Sequence, residues 1–330
     1  MSNPLLKIEI RPRLHLTLIS MHENFMRRNG GVGFSTKGPP ATLIIERAEE
    51  FCFRDERKVP FSNYEVEQLS SILSSVQKDR NLPSAISVTA TGNLGTHVGL
   101  GSGTSIRLAC LEGLFILNST HAKREELVRH SRRGGTSGIG INAYFDGGLI
   151  FDLGVRNESN VFLPSSAANS DNIPSTLPPL HMPDWHLGIC IPRTVSYKSQ
   201  DDEISFFRRT APINSQGSFE AAYYALFGVY AAVLESDYER FCRAISAIQN
   251  VTWKRLERSE YGNELRRIES DIGRFNVDCI GMSSLGPALF FFGSKSSLEN
   301  ISESELSKQH DVFVTGVNNA GRLIREVGHA

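Results

Sequence analysis

Between Gly95 and Leu117 the chain reads GTHVGLGSGTSIRLACLEGLFIL, a glycine-rich stretch without Asp, Glu, Lys or Arg before Arg107. It runs straight into an apolar, helix-competent segment. Glycines at 99, 101 and 103 let the backbone turn with its N–H groups uncovered, and the following helix directs the positive end of its dipole at the same point. Such a loop is a ready anion site, suited to phosphate or pyrophosphate. A glycine turn that merely opens a buried helix would read the same way. The spacing at 99–104 is GxGxGT, which is neither a Walker loop nor the GxGxxG of a dinucleotide fold, and HExxH and GxSxG are absent.

The rest of the chain mixes strands and helices without a steady βα alternation, which points to α+β and away from a doubly wound sheet. Residues 5–20 alternate apolar and polar side chains, with a phase break at Pro12. They predict a strand pair that sets Arg13, His15 and Thr17 on one polar face. In MRRNGGVGFST, Arg27 and Arg28 precede Gly30, Gly31 and Gly33. The glycines read as a tight turn, and the arginines as a solvated tip or a bidentate clamp for phosphate or carboxylate. Residues 64–82 have helical spacing from Val66 to Val76, and AISVTATG delivers a strand to the glycine loop. HAKREELVRHSRR predicts a further helix, and the glycine-dense GGTSGIGINAYFDGG leads into a strand at 148–153. Residues 155–184 are rich in Ser, Asn and Pro and read as a linker or long loop. Beyond it, DWHLGICIP, residues 282–292 and, as the last strand pattern, DVFVTGV read as strands, and the run from Ser218 as one or two helices. The division expected is a first domain over 1–155, a linker over 156–184 and a second domain over 185–330.

Composition excludes several partners. Across 330 residues the formal charge is -1, so there is no global cationic field for nucleic acid. Five scattered cysteines without a CxxC pair suggest reduced thiols, not a disulfide frame or a zinc site. The start lacks an apolar signal core, and no apolar run approaches the roughly 18 residues of a membrane span. A cytoplasmic protein is expected, with sequons at Asn118, Asn157, Asn250 and Asn300 incidental.

The segments RPRLHLTLI, RRNGGVG, HVGLGSGTSIRLA, RRGGTSGIGINAYFDGG, DWHLGICIP and GMSSLGPALFF, taken together, resemble the GHMP kinase superfamily. The combination is most similar to the β-ribofuranosylaminobenzene 5'-phosphate synthase family, including related C-nucleoside synthases. The resemblance extends along most of the chain. It implies a two-domain GHMP-kinase-like fold, with an N-terminal domain like ribosomal protein S5 domain 2 and an α+β C-terminal domain. It also implies phosphoribosyl pyrophosphate (PRPP) in place of ATP. In many of the kinases the segment matching SGIGINAYFDGG reads SGID, whose aspartate serves the accepting hydroxyl. Gly140 stands there and can neither take nor orient a proton. The implied reaction joins ribose 5-phosphate to the carboxylate-bearing ring carbon of 4-aminobenzoate or a similar acid, with loss of CO₂ and pyrophosphate. No ring proton has to be abstracted, which agrees with a glycine at 140. Where the synthases continue after the first strand with an aspartate, this chain has Ser20, so pyrazole-like acids stand beside 4-aminobenzoate as acceptors.

Placed on this sequence, the resemblance expects Gly99, Gly101, Ser102, Gly103 and Thr104, with Thr96, His97 and Arg13, to hold the phosphates of PRPP. Ser102 is the hydroxyl best placed for a Mg²⁺ ion. Arg27, His15 and Asp146 are the catalytic candidates; Asn142, beside Asp146, is a candidate for ribose hydroxyls or metal. Asp146 would equally serve a simple Asp-Gly turn. Ser20, Arg28, Ser137, Gly138, Ser283 and Ser284 are expected around the acceptor. The acidic pair Asp201-Asp202 reads as a solvated turn. The expected partners are small molecules and a second copy of the chain, with neither nucleic acid nor membrane. A GHMP-type ATP-dependent kinase and a non-catalytic binding protein on the same fold are the alternatives.

Overall fold

Pro12 cannot donate to a sheet ladder, and it parts the first two strands, β1 (Leu5–Ile10) and β2 (Arg13–Ser20). These and the rest of the fold come from a computed structural model that describes residues 5–23, 26–156, 161–165, 167–168 and 173–327. The strands continue with β3 (Arg27–Ser35), β4 (Ala41–Ala48), β5 (Cys52–Asp55), β6 (Ala85–Gly92), β7 (Leu149–Asp152) and β8 (Val155–Arg156). The second half contributes β9 (His186–Ile191), β10 (Cys279–Met282), β11 (Leu289–Phe292), β12 (Asp311–Gly316) and β13 (Leu323–Val327). Three sheets result, in the orders β13-β1-β4-β6-β5, β2-β3-β7 and β10-β11-β9-β12.

Alternation decides β1, where Leu6, Ile8 and Ile10 are buried between half-exposed polar neighbours. In β2 the alternation is broken by a bulge between His15 and Thr17, so the strand changes face within one residue. Arg13 and His15 share a face as expected, but Thr17 turns inward and bonds its hydroxyl to Leu18 O. Gly30, Gly31 and Gly33 do not form a turn; they lie inside β3. A Cβ at Gly31 would come within 2.9 Å of His15 Nε2, and one at Gly33 within 2.7 Å of Ile139 Cγ2. The missing side chains make room for an imidazole and a helix.

Helix α1 (Asn63–Asp79) starts with a capping box between Ser62 and Glu65. Helix α2 (Ser102–Leu117) is buried along most of its length and packs on β1, β4 and β6. Next come α3 (Arg124–Ser131), α4 (Ile139–Phe145) and α5 (Gln200–Thr210), the last capped by a Ser199–Asp202 box. Helix α6 (Ser215–Tyr223) passes through a π-helical turn at Tyr224–Tyr230 into α7 (Ala231–Glu235), followed by α8 (Tyr238–Ile248) and α9 (Thr252–Ser259). Ser215–Glu235, counted as one helix, is long and apolar enough to cross a membrane by length and composition, 39% of its apolar window being buried. The expectation that no apolar run approached such a length is corrected, because alanine, valine, leucine and phenylalanine keep its mean hydropathy high.

Two further expectations are adjusted. DVFVTGV is not the last strand: Leu323–Val327 follows and pairs antiparallel with β1, so β13 belongs to the first sheet. Its exposure and charges hid the alternation. The linker residues 173–180 are fastened to β7 by bridges at Leu149–Leu180 and Asp152–Thr176. Positions 157–160, 166 and 169–172 of that segment, including the Asn157 sequon, lie outside the described residues. The halves meet in a shared aromatic core, where Phe34 of β3 lies 6.3, 6.2 and 5.9 Å from the rings of Phe241, Phe290 and Phe292. All five cysteines are free thiols, and only Cys52 is exposed.

Candidate active site

The glycine loop is gripped by a turn from the second half of the chain. Gly99 has φ +91°, and a Cβ there would stand 2.4 Å from Ser283 O; Gly101 has φ +79°, with Arg13 Cγ 2.8 Å from the same virtual atom. Both positions therefore require glycine, for conformation and for space. Ser283 Oγ donates to Gly99 O (2.7 Å) and accepts from His15 N (3.0 Å), while Ser284 N donates to His15 O (2.9 Å). Ala288 N donates to Val98 O (3.1 Å) and Arg13 N to Leu100 O (3.0 Å). Beneath the turn, the fully buried Lys254 donates to Met282 O (3.2 Å) and pairs with Glu257.

Gly101 is the N-cap of α2 and offers no side chain, so the first-turn N–H groups of the helix face the cavity in front of it. Arg13, His15, Glu65, Thr96, His97, Thr104, Arg133, Thr136, Ser137, Gly140, Glu203, Glu257 and Ser284 line that cavity with the loop. Leu18, Phe207 and Leu285 add an apolar wall; they belong to one buried cluster with Phe206 and Trp253. Arg13 donates to Gly99 O (2.7 Å), yet its Nε is buried without a partner. The Nη2 of Arg133 lies 3.4 Å from where a Cβ on Gly103 would be, directly over the start of α2, and its Nε is likewise buried and unpartnered. Burial lowers the pKa of both guanidinium groups, that of Arg13 to about 10. Cations beside the positive end of a helix repel it and each other, so this arrangement is satisfied by an anion between them.

The titratable groups divide by environment. His15 is buried and its two ring nitrogens have no partner; desolvation, then Arg13 and Lys254, push its pKa well below the ordinary value and keep it neutral. His97 lies in the opposite situation, its Nε2 3.1 Å from Glu65 Oε1, which raises its pKa. Glu65 is held at about 2: burial opposes this, but the hydrogen bonds from His97 and from Ser62 prevail. Burial raises the pKa of the Glu203 carboxyl.

Of the residues expected from sequence, the structure gathers Gly99, Gly101, Ser102, Gly103, Thr104, Thr96, His97, Arg13, His15, Ser137 and Ser284 around this cavity. Ser283 stands just behind it as a brace, and Gly138 opens α4 with its N–H donated to Asp152 (2.6 Å). Arg27 is elsewhere: Nε donates to Leu153 O and Nη2 to Gly154 O, each at 2.7 Å, so its guanidinium braces the β7–β8 corner. Arg28 donates to Val161 O (2.9 Å), and Ser20 Oγ to Arg27 O (2.7 Å). Asp146 pairs with Arg124 (2.7 Å) at the C-cap of α4, before Gly147 and Gly148, both with positive φ. With Asn142 it lines a separate, open cavity. These five side chains are thus not brought to the phosphate loop.

Arg133, Glu65, Glu203, Thr136 and Glu257 were missed. Arg133 had a signal, as a cation beside the second glycine cluster, and Glu65 had one as the fourth residue of a Ser-x-x-Glu capping box. Glu203 had none: its neighbours Asp201 and Asp202 are exposed, and only the docking of α5 turns the third acid inward.

A homoserine kinase from Cytophaga hutchinsonii superposes with a TM-score of 0.63 at 14% identity, covering 97% of each chain. The fold is that of the GHMP kinases. No family model matches the chain. It is 29% identical over 288 residues to the β-ribofuranosylphenol 5'-phosphate synthase of Archaeoglobus fulgidus, 87% of each chain. It is also 29% identical over 321 residues to the enzyme of that name from Methanothermobacter thermautotrophicus, covering 94% of this chain and 96% of the relative. The chain is similar to these synthases along most of its length, as its spaced motifs implied.

Proposed function

We propose that the chain is a PRPP-dependent C-ribosyltransferase, which joins ribose 5-phosphate to a ring carbon of an aromatic or heteroaromatic carboxylic acid and releases CO₂ and pyrophosphate. The observation that carries this reading is the pair Arg13 and Arg133, each with a buried, unpartnered Nε, beside the start of α2 in one cavity with an apolar wall. A polyanionic leaving group and a flat ring both find their chemistry there.

The first-turn N–H groups and the two arginines would neutralise charge as pyrophosphate leaves C1'. Glu203 lines the same cavity, and Glu257 lines it while paired with Lys254, so an oxocarbenium-like ribose would meet carboxyl groups there. Leu18, Phe207 and Leu285 would hold the acceptor ring, whose carboxylate-bearing carbon attacks C1'; loss of CO₂ then restores aromaticity. The relatives' name describes a phenol product, so a hydroxybenzoate joins aminobenzoate and pyrazole acids as a candidate acceptor. Gly140 lines the cavity and its place is taken by no acid or base. Among the described residues no three His, Cys, Asp or Glu side chains gather to hold a metal. A Mg²⁺ ion would therefore be held chiefly by pyrophosphate oxygens and water, with Ser102 as the protein hydroxyl. Bound there, it would neutralise charge on the leaving group.

The test is incubation of the purified chain with PRPP, Mg²⁺ and a panel of hydroxy-, amino- and heteroaromatic acids, following pyrophosphate release. Release that depends on one acid supports the reading. No release with any acid, together with phosphate transfer from ATP, refutes it.

A further inference from the structure

His97 and Glu65 form a dyad that the reading above leaves without a chemical task. His97 sits two residues before Gly99, with φ +58°, a left-handed backbone conformation uncommon outside glycine and asparagine. The conformation is held: Arg57 Nη2 donates to Thr96 Oγ1 (3.0 Å), Arg57 is clamped by Asp55, and Thr96 N donates to Val59 O (3.0 Å). It brings the imidazole to the wall of the phosphate cavity with Nε2 on Glu65, leaving Nδ1 as the nitrogen able to meet a ligand. Glu65 is itself fixed, because Ser62 N and Ser62 Oγ each donate to it at 2.9 Å. An imidazole oriented by a buried carboxylate beside a leaving-group site has the anatomy of a general acid.

We infer that His97, oriented by Glu65, is the acid that protonates the pyrophosphate leaving PRPP; this rests on the proposed ribosyl transfer. The C1'–O bond breaks, and its electron pair stays on the pyrophosphate oxygen. The proton on Nδ1 passes to that pyrophosphate, leaving a neutral imidazole still bonded to Glu65. Solvent returns the proton once pyrophosphate departs. The charged groups facing His97 are Glu65 from α1, Glu203 from α5 and Arg133 from the loop before α4. The two carboxylates favour the charged imidazole, and Arg133 and burial oppose it. The net shift is upward, so the acid form persists to higher pH than for a free histidine, and the rate falls as pH rises through that pKa.

The experiment is the pH dependence of kcat/KM for PRPP in the wild-type chain, Glu65→Gln and His97→Asn. Gln keeps the capping-box hydrogen bonds without the charge, and Asn tolerates the left-handed backbone. The expected result is an alkaline limb that moves to lower pH by roughly one unit in Glu65→Gln. In His97→Asn that limb is absent, and the rate falls at least about tenfold, in line with loss of a positioned acid. A limb unmoved in Glu65→Gln, or retained in His97→Asn, overturns the assignment. Calorimetric titration with inorganic pyrophosphate separates this failure from failure of the ribosyl-transfer reading. If His97 faces the anion, wild-type affinity rises as pH falls through its pKa, and His97→Asn loses that dependence even if no acid is ribosylated. Pyrophosphate binding with identical pH dependence in wild type and His97→Asn removes the dyad from the site altogether.

Discussion

Arg133 and Arg27 show how differently two arginines beside glycines can be used. Arg133 stands over the start of α2 with an unpartnered Nε, whereas the guanidinium of Arg27 is spent on Leu153 O and Gly154 O. Removing a charge-assisted contact costs about 1.5–3 kcal/mol. Arg133→Gln is therefore expected to weaken pyrophosphate binding roughly tenfold to a hundredfold with an unchanged melting temperature, measured by calorimetry and thermal melts. Arg27→Gln should do the reverse, lowering the melting temperature by several degrees while pyrophosphate affinity changes less than about threefold, since it loses two bonds to carbonyls that stay in the fold. The sequence could not separate the two. Arg27's acceptors are 126 and 127 residues away along the chain, and nothing local announces them. Gly99, Gly101 and Ser102 were legible because their task is local: a backbone conformation and a helix start.

At the scale of elements, the decisive contact is between the 95–104 loop and the 283–288 turn. Ser283 Oγ ties the turn to the loop by donating to Gly99 O and to β2 by accepting from His15 N, and the side chain is fully buried. Ser283→Ala leaves His15 N without that acceptor in a buried setting, a loss of about 1–3 kcal/mol. The expected outcome is a melting temperature lower by several degrees, together with weaker pyrophosphate binding, because the loop it braces is the binding loop. Alternation and helical spacing in the sequence located β1, β2, β6, α1 and α2. The bulge in β2 was invisible in them, and it is the bulge that turns Thr17 away and lets Leu18 reach the cavity. The glycines of β3 read as a turn because their reason, the ring of His15 and the side chain of Ile139, comes from other elements.

For the whole molecule, the site is a product of both halves. The phosphate loop and α4 come from the first; α5, α9 and the 283–286 turn from the second; β13 returns to close the first sheet. The halves are therefore expected to unfold together, and acid should reach them through the site. Glu65 has a pKa of about 2 in the fold against an ordinary 4.5, so its ionised form is favoured by folding. Its contribution is fully present above about pH 4.5 and is lost as pH falls toward 2. Asp152 has the opposite sign: burial raises it to about 6, so its contribution is present below about pH 4 and is lost as pH rises through 6. Stability measured by urea unfolding from pH 6 downward should fall between about pH 4.5 and 2 in the wild-type chain and fall less steeply in Glu65→Gln. Equal slopes in the two proteins would place the acid sensitivity elsewhere.

In the proposed reaction the cavity makes a carbon–carbon bond at C1' and the acceptor loses its carboxylate. That reaction is tested most directly by mass spectrometry of the product formed from PRPP and an aromatic acid labelled with ¹³C in its carboxyl group. The expected product is an acid-stable riboside 5-phosphate that has lost the label, with labelled CO₂ and pyrophosphate released in equal amounts. A product that retains the labelled carboxylate, as an O- or N-riboside or a phosphorylated acid would, contradicts it.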